Sequence, residues 1–178
     1  MWYMGVYVLG TSLAVSEDGV HWVKPDLPVV PGTNLVASDA RDSSTIWLDL
    51  EEPDPARRYK MFRSHVVGPA GYGISTYRSA DGIRWGERLG PGGPANDRTT
   101  VFWNPFRRVW VYSVRHRAEG FGRIRRYRET PDPVADSPWA SVDERLFSFW
   151  VTGDPDGASH GYWAAGGPGF AGAVDREA

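Results

Sequence analysis

Short stretches in which apolar and polar positions alternate recur along this chain of 178 residues. In residues 43–49, for example, Ile46 and Leu48 are separated by positions that face the other way along a strand. A period of two is typical of a strand with one buried face. The nearest approach to a helical period is residues 143–150, and it is short. We therefore predict a chain built from strands, at residues 2–8, 13–15, 43–49, 57–63, 72–77, 99–104, 107–113 and 123–128.

The pattern S-x-D-G-[VI]-x-W occurs twice, at residues 16–22 and 79–85, each time after a strand-like run. Asp-Gly favours a tight turn, because glycine adopts positive φ freely and aspartate accepts hydrogen bonds from the backbone that follows it. The Trp three residues after the glycine offers a large apolar anchor for the returning segment. This repetition predicts a β unit that the chain uses more than once.

The order of strands between the two motifs recurs after the second motif. Residues 99–104 match residues 44–48, and residues 107–113 match residues 57–63. A third turn is degraded, since Pro133 stands where the glycine would be. A unit of strands and turns that repeats at roughly 50 to 60 residues is typical of propeller blades. A β-sandwich also uses short alternating strands, but it does not predict this repeated internal order.

We expect an all-β fold in which residues 1–150 form a partial β-propeller, about two and a half blades of an expected five. The blade fragments are roughly residues 2–24, 39–90 and 95–140. Closed propellers have roughly four to eight blades. An oligomer or missing blades would therefore be needed to close the ring. Residues 151–178 are rich in Gly, Ala and Pro, and we expect a poorly ordered tail.

The opening run, residues 2–8, resembles the middle of a strand rather than a signal peptide. A start inside a strand favours either a fragment or a start codon placed late. Any export signal would then have been lost upstream, so the sequence leaves the compartment open.

The composition narrows the class of protein. Apolar residues make up 41% of the chain, and no run approaches the ~18 apolar residues of a membrane span, so we predict no membrane partner. The net charge of −2 argues against a general nucleic-acid binder. Cysteine is absent, which excludes disulfides and thiolate metal sites. The four histidines lack ligand spacing, so we predict neither a metal nor a cofactor.

Four motifs carry a resemblance to a known family. They are S-x-D-G-x-x-W-x-K-P at residues 16–25, P-D-P-A-R-R-Y-K-M-F at 53–62, the second S-x-D-G-x-x-W at 79–85 and V-F-W-N-P at 101–105. Together they resemble bacterial glycoside hydrolase family 32/43-like proteins, over roughly residues 2–150. The S-x-D-G-x-x-W turn alone also resembles the Asp-box of sialidases.

The resemblance implies a five-bladed β-propeller with a pocket at the ring axis, lined by the first strand of each blade. In the well-studied enzymes of this clan three acidic residues occupy that pocket, as nucleophile or base, as general acid and as stabiliser. Glycosidic hydrolysis itself requires two carboxylates that flank the bond, one to protonate the leaving oxygen and one to attack or to activate water.

Asp42 and Asp97 each lie just ahead of a predicted first strand. R-D-S at residues 41–43 resembles the family's R-D-P motif, which carries the stabilising aspartate, and N-D-R at 96–98 resembles an N-D-P element. Each motif lacks its proline. Both aspartates are candidate catalytic residues, and Arg41 is a candidate substrate-binding residue. The alternative is that each aspartate caps a turn where a strand begins.

Glu144 is the candidate general acid, at the start of the segment that follows the third predicted blade. An acid in this role needs a raised pKa, which burial or the neighbouring Asp143 would supply. The alternative is a solvated Asp-Glu pair on the surface.

Trp47 and Trp103 are candidates for stacking on sugar rings, although blade cores also use Trp. Arg115 and His116 are further substrate-binding candidates within residues 107–128, a segment with eight Arg and a single acid. Such a segment suits an acidic sugar or a nucleic acid. We favour a third interpretation, in which these arginines pair with acidic loops, and place an anionic glycan second and nucleic acid third.

Two hypotheses follow from these residues. The first is a glycoside hydrolase-like propeller that hydrolyses glycosidic bonds with a carboxylate pair and takes a glycan or a small carbohydrate as its partner. The second is a non-catalytic carbohydrate-binding or scaffolding propeller fragment. Fold alone does not decide between them.

Overall fold

The computed structural model describes residues 1–5, 9–66, 71–90, 92–118, 122–135, 148–152 and 163–166. These residues form eleven β-strands and one short 3₁₀ turn, Pro55–Arg57. The described part of the chain contains no α-helix, and no helix in it is long and apolar enough to cross a membrane. The all-β prediction is confirmed.

The strands form three antiparallel sheets that follow one another along the chain. The first sheet has the order β1-β2-β3, with strands Trp2–Tyr3, Leu9–Leu13 and Leu35–Ala40. The second has the order β4-β5-β6, with strands Ser43–Leu48, Tyr59–Val66 and Tyr72–Ser79. The third has the order β11-β10-β9-β8-β7, and its strands β7 to β11 are Thr100–Asn104, Val109–Ala118, Gly122–Thr130, Ser148–Thr152 and Trp163–Gly166.

Strands β4 to β9 overlap the runs that the alternation predicts. The alternation does not predict β3, because only the first half of Leu35–Ala40 is apolar. The last strand, β11, pairs with β10 inside the tail for which the composition predicts no regular structure. Of the opening run, Trp2–Tyr3 forms β1, and residues 6–8 lie outside the described residues.

The main core lies between the second and third sheets. Trp110, Tyr112 and Val114 alternate along β8, so they project from one face, and all three are fully buried. They meet Phe62 of β5, whose ring centroid lies 5.2 Å from that of Trp110. Burial of each such side chain stabilises the fold by about 1.5–3 kcal/mol. This cluster is therefore the main apolar contact between the two sheets.

Hydrogen bonds between β4, the first strand of the second sheet, and the beginning of β7, the first strand of the third sheet, hold these two sheets in register. Ser43 at the start of β4 donates from Oγ to the carbonyl oxygen of Thr99, at 3.0 Å. Thr45 accepts at Oγ1 from the backbone N–H of Val101 in β7, at 3.3 Å. Because β4 and β7 run side by side, the segments that lead into them lie next to each other.

The two copies of S-x-D-G-x-x-W fold into the same turn. In each copy the aspartate Oδ1 accepts two backbone N–H groups, two and three residues later, all at 2.8 Å. The serine Oγ accepts the glycine N–H at 2.8 Å in the first copy and 2.9 Å in the second. The degraded third copy keeps this turn, since Asp132 Oδ1 accepts the N–H groups of Val134 and Ala135. The aspartate, rather than the glycine, is common to all three turns.

The P-D-P-A-R-R-Y-K-M-F motif builds a buried ionic cluster. Asp54 caps the 3₁₀ turn by accepting from the N–H of Ala56 at 2.9 Å. The chain then enters β5, where Lys60 is buried and donates from Nζ to Asp49 at 2.7 Å and to Glu52 at 3.1 Å. Removal of one partner from a buried pair costs about 3–5 kcal/mol. The motif therefore has a sufficient structural explanation.

Candidate functional site

A cleft of about 290 Å³ opens between the first and second sheets, where β4 begins. Its lining combines residues of β1 with polar residues from the segments that lead into β4 and β7. The principal lining residues are Trp2, Tyr3, Arg41, Asp42, Ser44 and Arg98. A concave site with a few convergent polar groups is the usual form of a small-ligand site.

Asp42 connects the segment that leads into β4 with the segment that leads into β7. Its backbone N–H donates to the carbonyl oxygen of Ser64 at 2.9 Å, which fixes the segment against β5. Its Oδ2 accepts the backbone N–H of Arg98 at 2.5 Å. Arg98 has φ of 58°, in the left-handed region that costs a non-glycine residue about 1–2 kcal/mol. Strained backbone of this kind concentrates at functional sites, and here Asp42 stabilises it.

Asp97 lies next to the cleft rather than among its lining residues. Its Oδ1 is 2.8 Å from Nη1 of Arg115, and both side chains are largely buried. Arg125 donates from Nη1 to the carbonyl oxygen of Arg98 at 2.6 Å. Burial lowers the pKa of Arg125, and the negative charge of Asp97 opposes that shift. The ion pair with Arg115 fixes the position of the Asp97 carboxylate beside the cleft.

Arg41 lies at the bottom of the cleft and is only 5% exposed. Its Nε donates to the carbonyl oxygen of Gly10 at 3.0 Å, and its Nη1 donates to that of Asp42 at 3.4 Å. Burial lowers the pKa of Arg41, the carboxylate of Asp42 raises it and the charge of Arg63 lowers it further. The side chain is therefore a fixed positive charge in a poorly solvated position.

The structure does not bring Trp47 and Trp103 to this cleft. Both pack against Trp110 of the main core, with ring centroids 6.4 Å and 5.4 Å away. Trp103 also donates from its indole N–H to Glu51 at 3.3 Å. These contacts lie between the second and third sheets, on the opposite side of β4 from the cleft.

The remaining predicted residues lie elsewhere. His116 is half-buried on β8, where it pairs with Ile124 of β9. Arg115 is the preceding residue and contacts Asp97 beside the cleft. Glu144 lies outside the described residues. Of the predicted site, the structure thus gathers Arg41 and Asp42 at the cleft and Asp97 with Arg115 beside it.

The cleft includes residues that the sequence does not indicate, among them Trp2, Tyr3 and Arg98. Trp2 donates from its indole N–H to the carbonyl oxygen of Gly82 at 2.8 Å, and Tyr3 accepts at its hydroxyl from Asn34 at 2.8 Å. Both belong to a run whose pattern is that of an ordinary strand, so no local signal marks them. Arg98 reaches the cleft through a left-handed backbone that its sequence neighbours do not indicate.

Among the described residues, no group of three or more His, Cys, Asp or Glu side chains is placed to hold a metal ion. Comparisons with protein-family models, with curated proteins and with solved structures gave no match. The resemblance to glycoside hydrolases therefore stays a prediction from the motifs.

Proposed function

We propose that this chain is part of a glycoside hydrolase-like β-propeller, and that its cleft binds a glycan and hydrolyses a glycosidic bond. The observation that carries the proposal is the lining of the cleft. Asp42 lines it together with Arg41, Arg98 and the hydroxyl residues Ser43 and Ser44. The hydroxyl groups of sugars bind carboxylates, guanidinium groups and hydroxyl side chains, so this combination suits them.

The propeller part of the proposal is supported by the order of the sheets. Three antiparallel sheets follow one another along the chain, three turns share one hydrogen-bond pattern and the first strands β4 and β7 lie side by side. In this interpretation the chain supplies about two and a half blades of an expected five. Further blades or an oligomer would close the ring.

In the proposed mechanism Asp42 and Asp97 supply the carboxylates. Asp42 faces the cleft and acts on the anomeric carbon, as nucleophile, base or stabiliser. Asp97, held by Arg115, supports the charge that develops in the transition state. The general acid needs a raised pKa, and Glu144 remains the candidate for it.

The test replaces each aspartate by asparagine. Asp42→Asn keeps an oxygen that can accept from Arg98, so the fold should survive while turnover falls about 10²–10⁴-fold. Asp97→Asn should lower turnover in the same range. Asp54→Asn, on the loop before β5, makes the same charge change and should leave turnover intact. Release of the aglycone from a set of aryl glycosides measures turnover. Wild-type rates in both site variants would refute the carboxylate assignment.

A second candidate is glycan binding without hydrolysis. In the described part of the chain, Asp42 is the single carboxylate that lines the cleft, and its Oδ2 already accepts from Arg98. A site with one engaged carboxylate suits recognition better than acid–base chemistry. Wild-type protein that binds oligosaccharides in calorimetry but releases no sugar from any of them would establish this candidate over the first.

A further inference from the structure

The charges at the cleft do not balance. Two guanidinium groups, of Arg41 and Arg98, line it together with one carboxylate, that of Asp42. The Oδ2 atom of Asp42 accepts a hydrogen bond from a backbone N–H, that of Arg98, rather than from either guanidinium group. In the described part of the chain, neither arginine lies within 4.0 Å of a carboxylate. The cleft therefore carries an excess of positive charge.

The excess is costly at Arg41, because that side chain is buried. A buried charge without a counter-ion loses hydration that the protein does not replace. Arg41 donates to two carbonyl oxygens, from Nε and Nη1, and its Nη2 has no hydrogen-bond partner among the described residues. A second buried guanidinium, that of Arg63, lowers its pKa further and is itself paired to Asp39 at 2.8 Å. Of these two buried guanidinium groups, Arg41 is therefore the one without a carboxylate partner in the described part of the chain.

Arg98 adds a second cation at the rim. Its backbone is fixed at both ends of the peptide, since its N–H donates to Asp42 and its carbonyl oxygen accepts from Arg125. Its side chain is exposed and makes no ion pair in the described part of the chain. A ligand that entered the cleft would meet the guanidinium group of Arg98 at the rim and that of the buried Arg41 deeper in.

We propose that the cleft takes an acidic sugar, a uronic acid residue of a glycan, whose carboxylate binds the guanidinium group of Arg41. This inference rests on the proposed glycan-binding function and specifies its substrate class. A carboxylate supplies the missing counter-charge and accepts two parallel hydrogen bonds from a guanidinium group. The sugar ring then occupies the rest of the cleft, and Arg98 provides a second guanidinium group at the rim.

The experiment measures calorimetric binding of galacturonate oligomers and of the matched neutral galactose oligomers to the full chain. We expect the uronate to bind at least about tenfold more tightly than the neutral sugar. Arg41→Gln should weaken uronate binding about 10- to 100-fold and leave the neutral sugar unchanged. Arg98→Gln should produce a smaller loss of the same selectivity. Arg84→Gln, an exposed arginine in the second turn, is the matched control and should bind as wild type.

Each outcome decides between distinct claims. Equal affinity for both sugars, or wild-type uronate binding by both cleft variants, overturns the acidic-sugar inference and leaves glycan binding standing. No binding of either sugar overturns the proposed function as well. Competition by inorganic sulfate or phosphate as strong as that by the uronate identifies a general anion site and also overturns the inference. Should Arg41→Gln fail to fold, Arg98→Gln decides the question, because only the backbone of Arg98 is used in the fold.

Discussion

The two copies of S-x-D-G-x-x-W form the same turn, but the second is packed against a sheet and the first is exposed to solvent. In the second copy Ile83 and Trp85 pack against the cluster that includes Leu13 and Val36 of the first sheet. In the first copy the corresponding residues face solvent, with Val20 74% and Trp22 43% exposed. The motif therefore encodes the turn through its own side chains, whereas burial of its apolar residues depends on a neighbouring sheet.

The tryptophans around the two turns also bond differently. Trp22 donates its indole N–H to its own turn, at the carbonyl oxygen of Gly19, at 3.1 Å. In the second copy the same kind of carbonyl, that of Gly82, accepts instead from Trp2 of the first sheet, at 2.8 Å. Trp2 also packs edge-on against Tyr59, with centroids 5.7 Å apart. The second turn is thus part of a sheet-to-sheet contact, and the first turn is satisfied by itself.

The largest difference between the copies is expected at their glycines. Both adopt left-handed backbone, with φ of 75° at Gly19 and 72° at Gly82. A Cβ at Gly82 would lie 2.6 Å from Trp2 and 3.0 Å from Tyr59, whereas a Cβ at Gly19 would meet nothing within 4 Å. Gly82→Ala should therefore combine backbone strain with overpacking and destabilise the fold by about 4 kcal/mol. Gly19→Ala should cost only the strain, about 1 kcal/mol.

Urea unfolding followed by tryptophan fluorescence measures both glycine variants. Equal midpoints for the two variants would show that the second turn does not depend on Trp2 and Tyr59. That result would remove the distinction between a docked turn and a free one.

The next largest difference is expected at the motif tryptophans. Trp85→Ala should destabilise the fold by about 3 kcal/mol, because it leaves a cavity beside Leu13 and Val36. Trp22→Ala should cost less than about 1 kcal/mol, since the ring is substantially exposed. Trp85→Phe is the matched control and should cost little, because the indole N–H of Trp85 has no partner among the described residues. Thermal unfolding of the three variants ranks them, and a larger loss in Trp22→Ala contradicts this account.

The turns and the middle strands could be predicted from the sequence because their causes are local. The Asp and Ser side chains of the motif bond to backbone within three residues, so the pattern alone specifies the shape. Strands β4 to β9 are short runs that contain apolar residues and are bounded by turn residues, which makes them recognisable, although β5 buries residues 60–64 on both faces. The degraded third copy was also recognisable, since Asp132 provides the same acceptor without the glycine.

The cleft could not be predicted, because its geometry depends on contacts between sheets. Arg41 and Asp42 were found through a motif resemblance, yet nothing local indicates that Arg41 is buried or that Asp42 holds Arg98 in a left-handed conformation. The packing of Trp47 and Trp103 in the main core rather than at the cleft likewise depends on which face a neighbour covers. Sequence period gives the two faces of a strand but not the partner of each face.

The smallest expected difference between the two turns is in how their aspartates affect stability at low pH. At Asp81 burial raises the pKa, but the hydrogen bonds from Arg84 and Ile83 outweigh it, so the pKa lies below its ordinary value of 3.8. The unfolded state therefore binds a proton first, and the stabilisation present at neutral pH is lost as pH falls below about 3.8 and through the folded pKa. Asp81→Asn removes this titration while it keeps the oxygen that accepts in the turn.

We therefore expect the urea midpoint of Asp81→Asn to fall less than that of wild type between about pH 7 and about pH 3. The hydrogen bond from His21 holds the pKa of Asp18 below its ordinary value as well, but the first turn is exposed, and in the described part of the chain its apolar residues join no buried cluster. Asp18→Asn should consequently leave the pH dependence of global unfolding close to that of wild type, because local opening of a free turn does not require the core to unfold. An equal reduction of the pH dependence of the urea midpoint in both variants would contradict this account. It would mean that the first turn, although exposed, unfolds only together with the rest of the molecule, as the second turn does.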